Sequence, residues 1–121
     1  MGKQILVVDD CRTTRKLLSV ILKGRGYETI VAENGMEALE KLATHPVDLV
    51  ITDLNMPQMD GLELLRTLRN HGAYKHLPVI MVSTESDEMD KQKGLRLGAS
   101  AYLVKPVSKE RLAYEVAKFL S

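Results

Sequence analysis

The chain predicts an α/β fold: a doubly wound, five-stranded parallel sheet with five helices on both faces, for which the strand order 2-1-3-4-5 suits. Three observations lead there. Five short apolar runs alternate with five longer helical patterns. The runs are apolar nearly throughout rather than at every second position, as in strands covered on both faces. No Ser/Gly/Pro-rich linker, repeat or low-complexity segment interrupts the alternation, so one domain is expected over residues 1–121, with no output domain. Parallel neighbours require crossovers, and right-handed crossovers place helices on both faces.

The elements follow in order. Gln4 to Val8 reads as the first strand, and Thr14 to Lys23 as a helix with Leu17, Leu18, Ile21 and Leu22 at helical spacing, stopped by Gly24 and Gly26. A second strand spans about Glu28 to Val31. Asn34 and Gly35 then open a helix with Ala38, Leu39, Leu42 and Ala43 on one face. Pro46 precedes the third strand, in the string VDLVITD, and a helix from about Leu62 to Asn70 carries Leu62, Leu65 and Leu68. Pro78 to Val82 is the fourth strand. The helix after it, Asp87 to Leu97, has only Met89, Leu95 and Leu97 as sizeable apolar residues, so it should be the least firmly packed. Ala101 to Val104 is the last strand, and Glu110 to Leu120 ends the chain with a stripe of Leu112, Ala113, Val116, Ala117 and Leu120.

Bulk composition mainly excludes. A chain of 121 residues with 45% hydrophobic content can bury a core. Seventeen basic against sixteen acidic residues leave a net charge of +1, without the field of a nucleic-acid binder. No apolar run approaches the roughly 18 residues of a spanning helix, so neither membrane insertion nor a signal peptide is expected. Leu6 stands where a myristoylation signal requires Ser or Thr. Cys11 is the single cysteine; it excludes an internal disulfide and a cysteine metal cluster, and fits a reducing, cytoplasmic setting. It reads as a small, partly buried side chain.

In a sheet of this kind chemistry gathers outside the carboxyl ends of the strands. The residues just past the apolar runs are Asp9 and Asp10, Asp53, Ser83 and Lys105. One acid after a strand is ordinarily a helix N-cap. Four strand ends agreeing on charged or hydroxyl groups is a different matter. Asp9, Asp10 and Asp53 would converge, and mutual repulsion in a partly dry site calls for a cation. All-oxygen donors with room for water favour Mg²⁺. A carboxylate beside a metal and the Lys105 ammonium is equipped to attack a phosphoryl group, with Ser83 donating to one of its oxygens. A Ser83–Lys105 hydrolase pair would lack an oxyanion hole and face three opposing acids.

Taken together, Asp9-Asp10, Asp53 followed by Asn55-Met56-Pro57 and Met59-Asp60-Gly61, Ser83, Gly98-Ala99-Ser100, Tyr102 and Lys105-Pro106 resemble the response-regulator receiver domains of two-component signalling, the CheY-like family. The resemblance covers the whole chain. The 2-1-3-4-5, flavodoxin-like order is the one that this family itself exemplifies.

The resemblance implies that Asp53 accepts a phosphoryl group from a sensor histidine kinase or phosphotransfer protein. It further implies that Asp10 and Asp53 bind Mg²⁺ directly, Asn55 through its backbone carbonyl and Asp9 mainly through water. Lys105 would pair with the acids before phosphorylation and with the phosphoryl group afterwards, and the Lys105–Pro106 bond would be cis. Ser83 and Tyr102 would form the switch, Tyr102 turning into space vacated by Ser83 and reshaping the surface of helix 4, strand 5 and helix 5. Asn55 and Glu85 would tune the acyl-phosphate lifetime. The implied protein is a phosphoacceptor switch acting through a downstream protein partner, a monomer without direct nucleic-acid contact.

Val107 departs from the family, where an aromatic is common. His45, His71 and His76 lack ligand spacing and read as solvated or locally bonded. Lys91, Lys93 and Arg96 read as a solvated face. Rival functions remain. An aspartyl-phosphate phosphatase would carry a second acid where Asn55 stands, and a longer chain. A flavodoxin-type FMN carrier would not place Asp9 and Asp10 against a phosphate. An unphosphorylated pseudo-receiver stays open at this level.

Overall fold

The computed structural model describes residues 2–84 and 88–120. Its strands are β1 (Gln4–Val8), β2 (Glu28–Ala32), β3 (Leu49–Thr52), β4 (Val79–Ser83) and β5 (Ala101–Val104). They form one parallel sheet in the order β2-β1-β3-β4-β5. The helices are α1 (Arg12–Gly24), α2 (Gly35–Thr44), α3 (Gly61–Arg69), α4 (Glu88–Arg96) and α5 (Lys109–Leu120).

Alternation along each strand divides the core into two layers. Leu6, Val8, Val50, Met81 and Tyr102 face Ala38, Leu42, Leu64, Leu65 and Leu68 from α2 and α3. Ile5, Val7, Ile51, Ile80 and Leu103 face Leu18 and Leu22 of α1 and Leu112 and Val116 of α5. Complete burial of Ile5, Leu6, Leu49, Ile80 and Met81 accounts for the unbroken apolar runs in the sequence. As expected, α4 is the poorest contributor: Met89 is 79% exposed, and Gly94 is the buried residue of the helix.

Element ends differ by a residue or two where side chains extend them. The expected start of α1 at Thr14 moves back to Arg12, because the Cys11 N–H finds the Asp9 carboxylate at 2.8 Å. Asp9 thus steadies the entry to the helix by accepting from the N–H of its cap residue. Cys11 is exposed, not partly buried as its size implied. β4 continues through Ser83, opposite Val104, instead of ending at Val82. Asp87, the expected start of α4, lies outside the described residues.

The loops that frame the strand ends are closely specified. Asn34 caps α2 by accepting from Glu37 N–H at 2.9 Å, and the Glu37 carboxylate returns to Glu33 N–H, one residue before the cap, at 2.7 Å, which resembles a capping box shifted by one residue. Asp60 caps α3 through Glu63 N–H at 2.9 Å. At the opposite edge, Arg69 Nε and Nη2 both donate to the Gly98 carbonyl, at 3.0 and 2.9 Å, and Nη1 donates to Tyr74 O. Gly98 sits at φ 110°, which a side chain would rarely tolerate.

Gly61 fixes the β3–α3 loop most strictly. Its N–H donates to Leu54 O at 2.9 Å, and a Cβ there would fall on the backbone carbonyl oxygen of Asp53. Replacing Gly61 by Ala therefore forces the loop that carries Asp53 to open. Gly61→Ala should lower unfolding stability in urea by about 1–3 kcal/mol, the usual cost of overpacking; an unchanged midpoint would show that the loop yields freely.

Candidate functional site

β1, β3 and β5 deliver their charged residues to one point because parallel strands share a common end. Hydrogen bonds lock the register there: Asp9 N–H donates to Ala32 O at 3.1 Å, Asp53 N–H to Val8 O at 2.9 Å and Lys105 N–H to Ser83 O at 2.8 Å. One carboxylate oxygen each from Asp9, Asp10 and Asp53 lies within 4.8 Å of the other two. Lys105 Nζ reaches across from β5 to Asp9 Oδ2 at 2.8 Å and to Asp53 Oδ2 at 3.5 Å.

Burial grades these acids. Asp9 is only 1% exposed, and both its oxygens are engaged, Oδ1 by Cys11 N–H and Oδ2 by Lys105. Asp10 is exposed and Asp53 intermediate. Leu54 N–H donates to Asp53 Oδ1 at 2.7 Å and fixes the plane of that carboxylate. Desolvation pushes the Asp53 carboxyl above its ordinary value; the Lys105 charge opposes this and the Asp9 charge adds to it. Burial alone would lower the Lys105 ammonium, but its hydrogen bond to Asp9 and the charges of Asp53 and Asp9 more than offset that and raise it. Lys105 gives its shorter contact to Asp9, so Asp53 is incompletely compensated.

Residues 5–117 match the family described as the response regulator receiver domain. The chain belongs to this family. Among its relatives, the chemotaxis protein CheY1 of Helicobacter pylori is 41% identical over 115 residues, covering 90% of this chain and 93% of that protein. Protein PilG of Pseudomonas aeruginosa is 40% identical over 112 residues, covering 92% of this chain and 82% of that protein. The alkaline phosphatase synthesis transcriptional regulatory protein PhoP of Bacillus subtilis is 38% identical over 120 residues, 99% of this chain but 49% of that protein. In structure, Vibrio cholerae chemotaxis protein CheY4 superposes with a TM-score of 0.92 at 36% identity, over 98% of this chain and 99% of that one. A putative response regulator from Chloroflexus aurantiacus gives 0.95 at 35% identity, over 99% and 98%.

Receiver domains are phosphoacceptor switches of two-component signalling that interact with histidine kinases and downstream targets and bind Mg²⁺ in an acidic pocket. The donor set of this receiver fits that ion. Three carboxylates offer hard oxygen ligands, and the exposure of Asp10 and Asn55 leaves one side of the cluster open to water, as an ion that keeps part of its hydration shell requires.

The remaining expected residues fall as follows. Ser83 is wholly buried at the end of β4, on the same sheet face as Met81 and Tyr102. Tyr102 already lies inward, 6% exposed, in the layer beneath α4. The Lys105–Pro106 bond is cis. Glu85 lies outside the described residues. His45 and His71 make local contacts, with Lys41 O and Ala73 N–H respectively. Among the described residues no helix is long and apolar enough to cross a membrane.

Arg15 escaped the sequence reading. Its Nη1 donates to the Asp9 carbonyl at 2.7 Å and Nη2 lies 3.9 Å from Glu33, so it ties α1 to the turn that presents the acids. Its position one turn after Cys11 was the available signal. Beside the site, Thr14, Leu17, Val82, Lys105 and Val107 line an apolar cleft of about 350 Å³, with Lys105 as the shared wall.

The raised Asp53 carboxyl has a definite pH consequence. The folded state binds this proton more tightly than the unfolded chain does, so stability falls as pH rises from 3.8 through the folded value. In chelator at neutral pH, Asp53→Asn should unfold at higher urea than the parent protein, and the gap should close at acid pH. Mg²⁺ at about ten times its dissociation constant should raise parental stability by about 1.4 kcal/mol. The gain should be much smaller in Asp53→Asn and Asp10→Asn; equal gains in all three proteins would move the cation elsewhere.

Proposed function

We propose that this receiver accepts a phosphoryl group on Asp53 from a phosphohistidine of a sensor histidine kinase or phosphotransfer protein, in a Mg²⁺-dependent reaction, and thereby changes its binding to a downstream protein. The observation that carries this reading is the unequal treatment of the acids. Asp9 is buried and fully bonded, whereas Asp53 is held rigidly, left partly open and incompletely neutralised. A nucleophile needs that combination; a structural carboxylate does not.

Leu54 N–H orients the carboxylate, and an Asp53 oxygen forms a bond to phosphorus as the bond to the donor imidazole nitrogen breaks, the nitrogen keeping the electron pair. Lys105 stays anchored on Asp9 at 2.8 Å and turns its longer, 3.5 Å contact from Asp53 toward the incoming phosphoryl oxygens. Ser83 donates its hydroxyl to a second oxygen. Asp10, Asp53 and Asn55, with Asp9 beside them, would hold Mg²⁺, which when bound would supply positive charge for the transferring group. Exposed Asn55, two residues past Asp53, tunes the lifetime of the acyl phosphate, a part that the family resemblance also assigns to Glu85. The apolar cleft and the exposed Leu17 offer a phosphodonor protein an adjoining surface.

Because Tyr102 is inward in this structure, the switch operates by favouring an arrangement already available to the domain. Drawing Ser83 to the phosphoryl group holds the ring inward and fixes the face formed by α4, β5 and α5. A coupling of about 1–3 kcal/mol gives a several-fold to about hundredfold change in partner affinity.

Incubation with a small acyl-phosphate donor and Mg²⁺ should add one phosphoryl mass to the intact protein. Chelator or Asp53→Asn should abolish it, and Lys105→Met should reduce it. Mass retained in Asp53→Asn would refute the assignment.

A further inference from the structure

α4 is attached to the domain in an unusual way. Its one buried position among the described residues is Gly94, while Met89 and Leu95 are exposed. What Gly94 covers is Tyr102: a Cβ at position 94 would stand 3.3 Å from the ring Cδ2 and 3.7 Å from Cε2. The first distance is tighter than ordinary contact, so an alanine there requires either the ring or the helix to give way by a few tenths of an ångström. The ring has little freedom below, since it is packed in the layer with Met81 and Ala99.

The helix cannot simply rise to make room at that end. Gly98 O, just beyond α4, is held by both Arg69 Nε and Nη2, and Ala99 N–H donates to the Gly94 carbonyl at 3.0 Å. Glycine inside a helix costs about fivefold in helix stability relative to alanine. A thinly packed helix can least tolerate that cost, yet it carries its glycine where the ring passes.

We propose that Gly94 is a positioning residue of the switch: the missing side chain is the slot that lets Tyr102 lie inward beneath a seated α4. The size of residue 94 therefore sets the share of molecules with the ring inward before any phosphoryl group arrives. The inference rests on the switch reading given above for its consequence in signalling, but the slot itself is a property of the unphosphorylated domain.

Fluorine NMR of protein labelled with 3-fluorotyrosine, with Tyr102→Phe assigning the resonance, reads the ring directly. In Gly94→Ala the inward population of Tyr102 should fall about three- to tenfold, and in Gly94→Val by more than tenfold, seen as a second resonance in a solvent-exposed environment. Circular dichroism on the same samples establishes that each variant is folded. Should Gly94→Val misfold, the Gly94→Ala spectrum decides alone. A Tyr102 resonance unmoved by Gly94→Ala in folded protein would overturn the slot. A purely structural role would change the unfolding midpoint without moving that resonance.

A second arm separates this from the switch reading. Adding an acyl-phosphate donor with Mg²⁺ to folded Gly94→Ala should return the resonance to its inward position. If phosphoryl mass is added and the ring stays out, the link between slot and signalling is refuted. If no mass is added to the parent protein either, the phosphoacceptor reading fails while the ring displacement still upholds the slot.

Discussion

The ion pair between Lys105 and Asp9 is the contact around which the rest of the site is arranged. A carboxylate as deeply buried as Asp9 is costly unless a cation and further donors satisfy it, and here Lys105 and Cys11 N–H take one oxygen each. Because Lys105 comes from β5 and Asp9 from β1, the pair spans the sheet across β3 and β4. It holds an ammonium directly above the strand that carries Asp53. Removing Lys105 would leave a buried charge at Asp9 and an unneutralised nucleophile at Asp53.

That pair also explains the division of labour among the acids. Three carboxylates so close cannot be equivalent, and the protein separates them by access: Asp9 inward and bonded, Asp53 intermediate, Asp10 outward. The family match and the superpositions establish a receiver domain, and this gradation is what makes a receiver's chemistry intelligible in physical terms. The raised Asp53 carboxyl reflects incomplete compensation, a condition that an incoming cation relieves.

Much of this was legible in the sequence. The run LVIT followed by Asp53, and the matching ends at Asp9 and Lys105, locate the site because parallel strands have a period and a direction. Turn chemistry at Asn34 and Gly35 gave the opening of α2, whereas the cap at Asp60 emerged only with the structure. What stayed hidden depends on contacts between residues distant in sequence. Ser83 read as a residue past its strand, yet pairing with Val104 keeps it inside β4. Cys11 read as partly buried, but its exposure follows from how α1 leaves β1. Arg69 and Gly94 show nothing in their neighbours and Arg15 only its place one turn after Cys11; their meaning comes from Gly98 O, the Tyr102 ring and Asp9 O.

The Arg69 clasp on Gly98 gives α4 a mechanical character. A rod pinned at one end moves by swinging, and its displacement grows with distance from the pin. Glu88 is ten residues from Gly98, a lever arm of about 15 Å at the helical rise. A tilt too small to disturb packing near the clasp is thus magnified at the end nearest the strand tips, where Met89 is exposed. The clasped end serves as fulcrum and the Glu88 end as pointer.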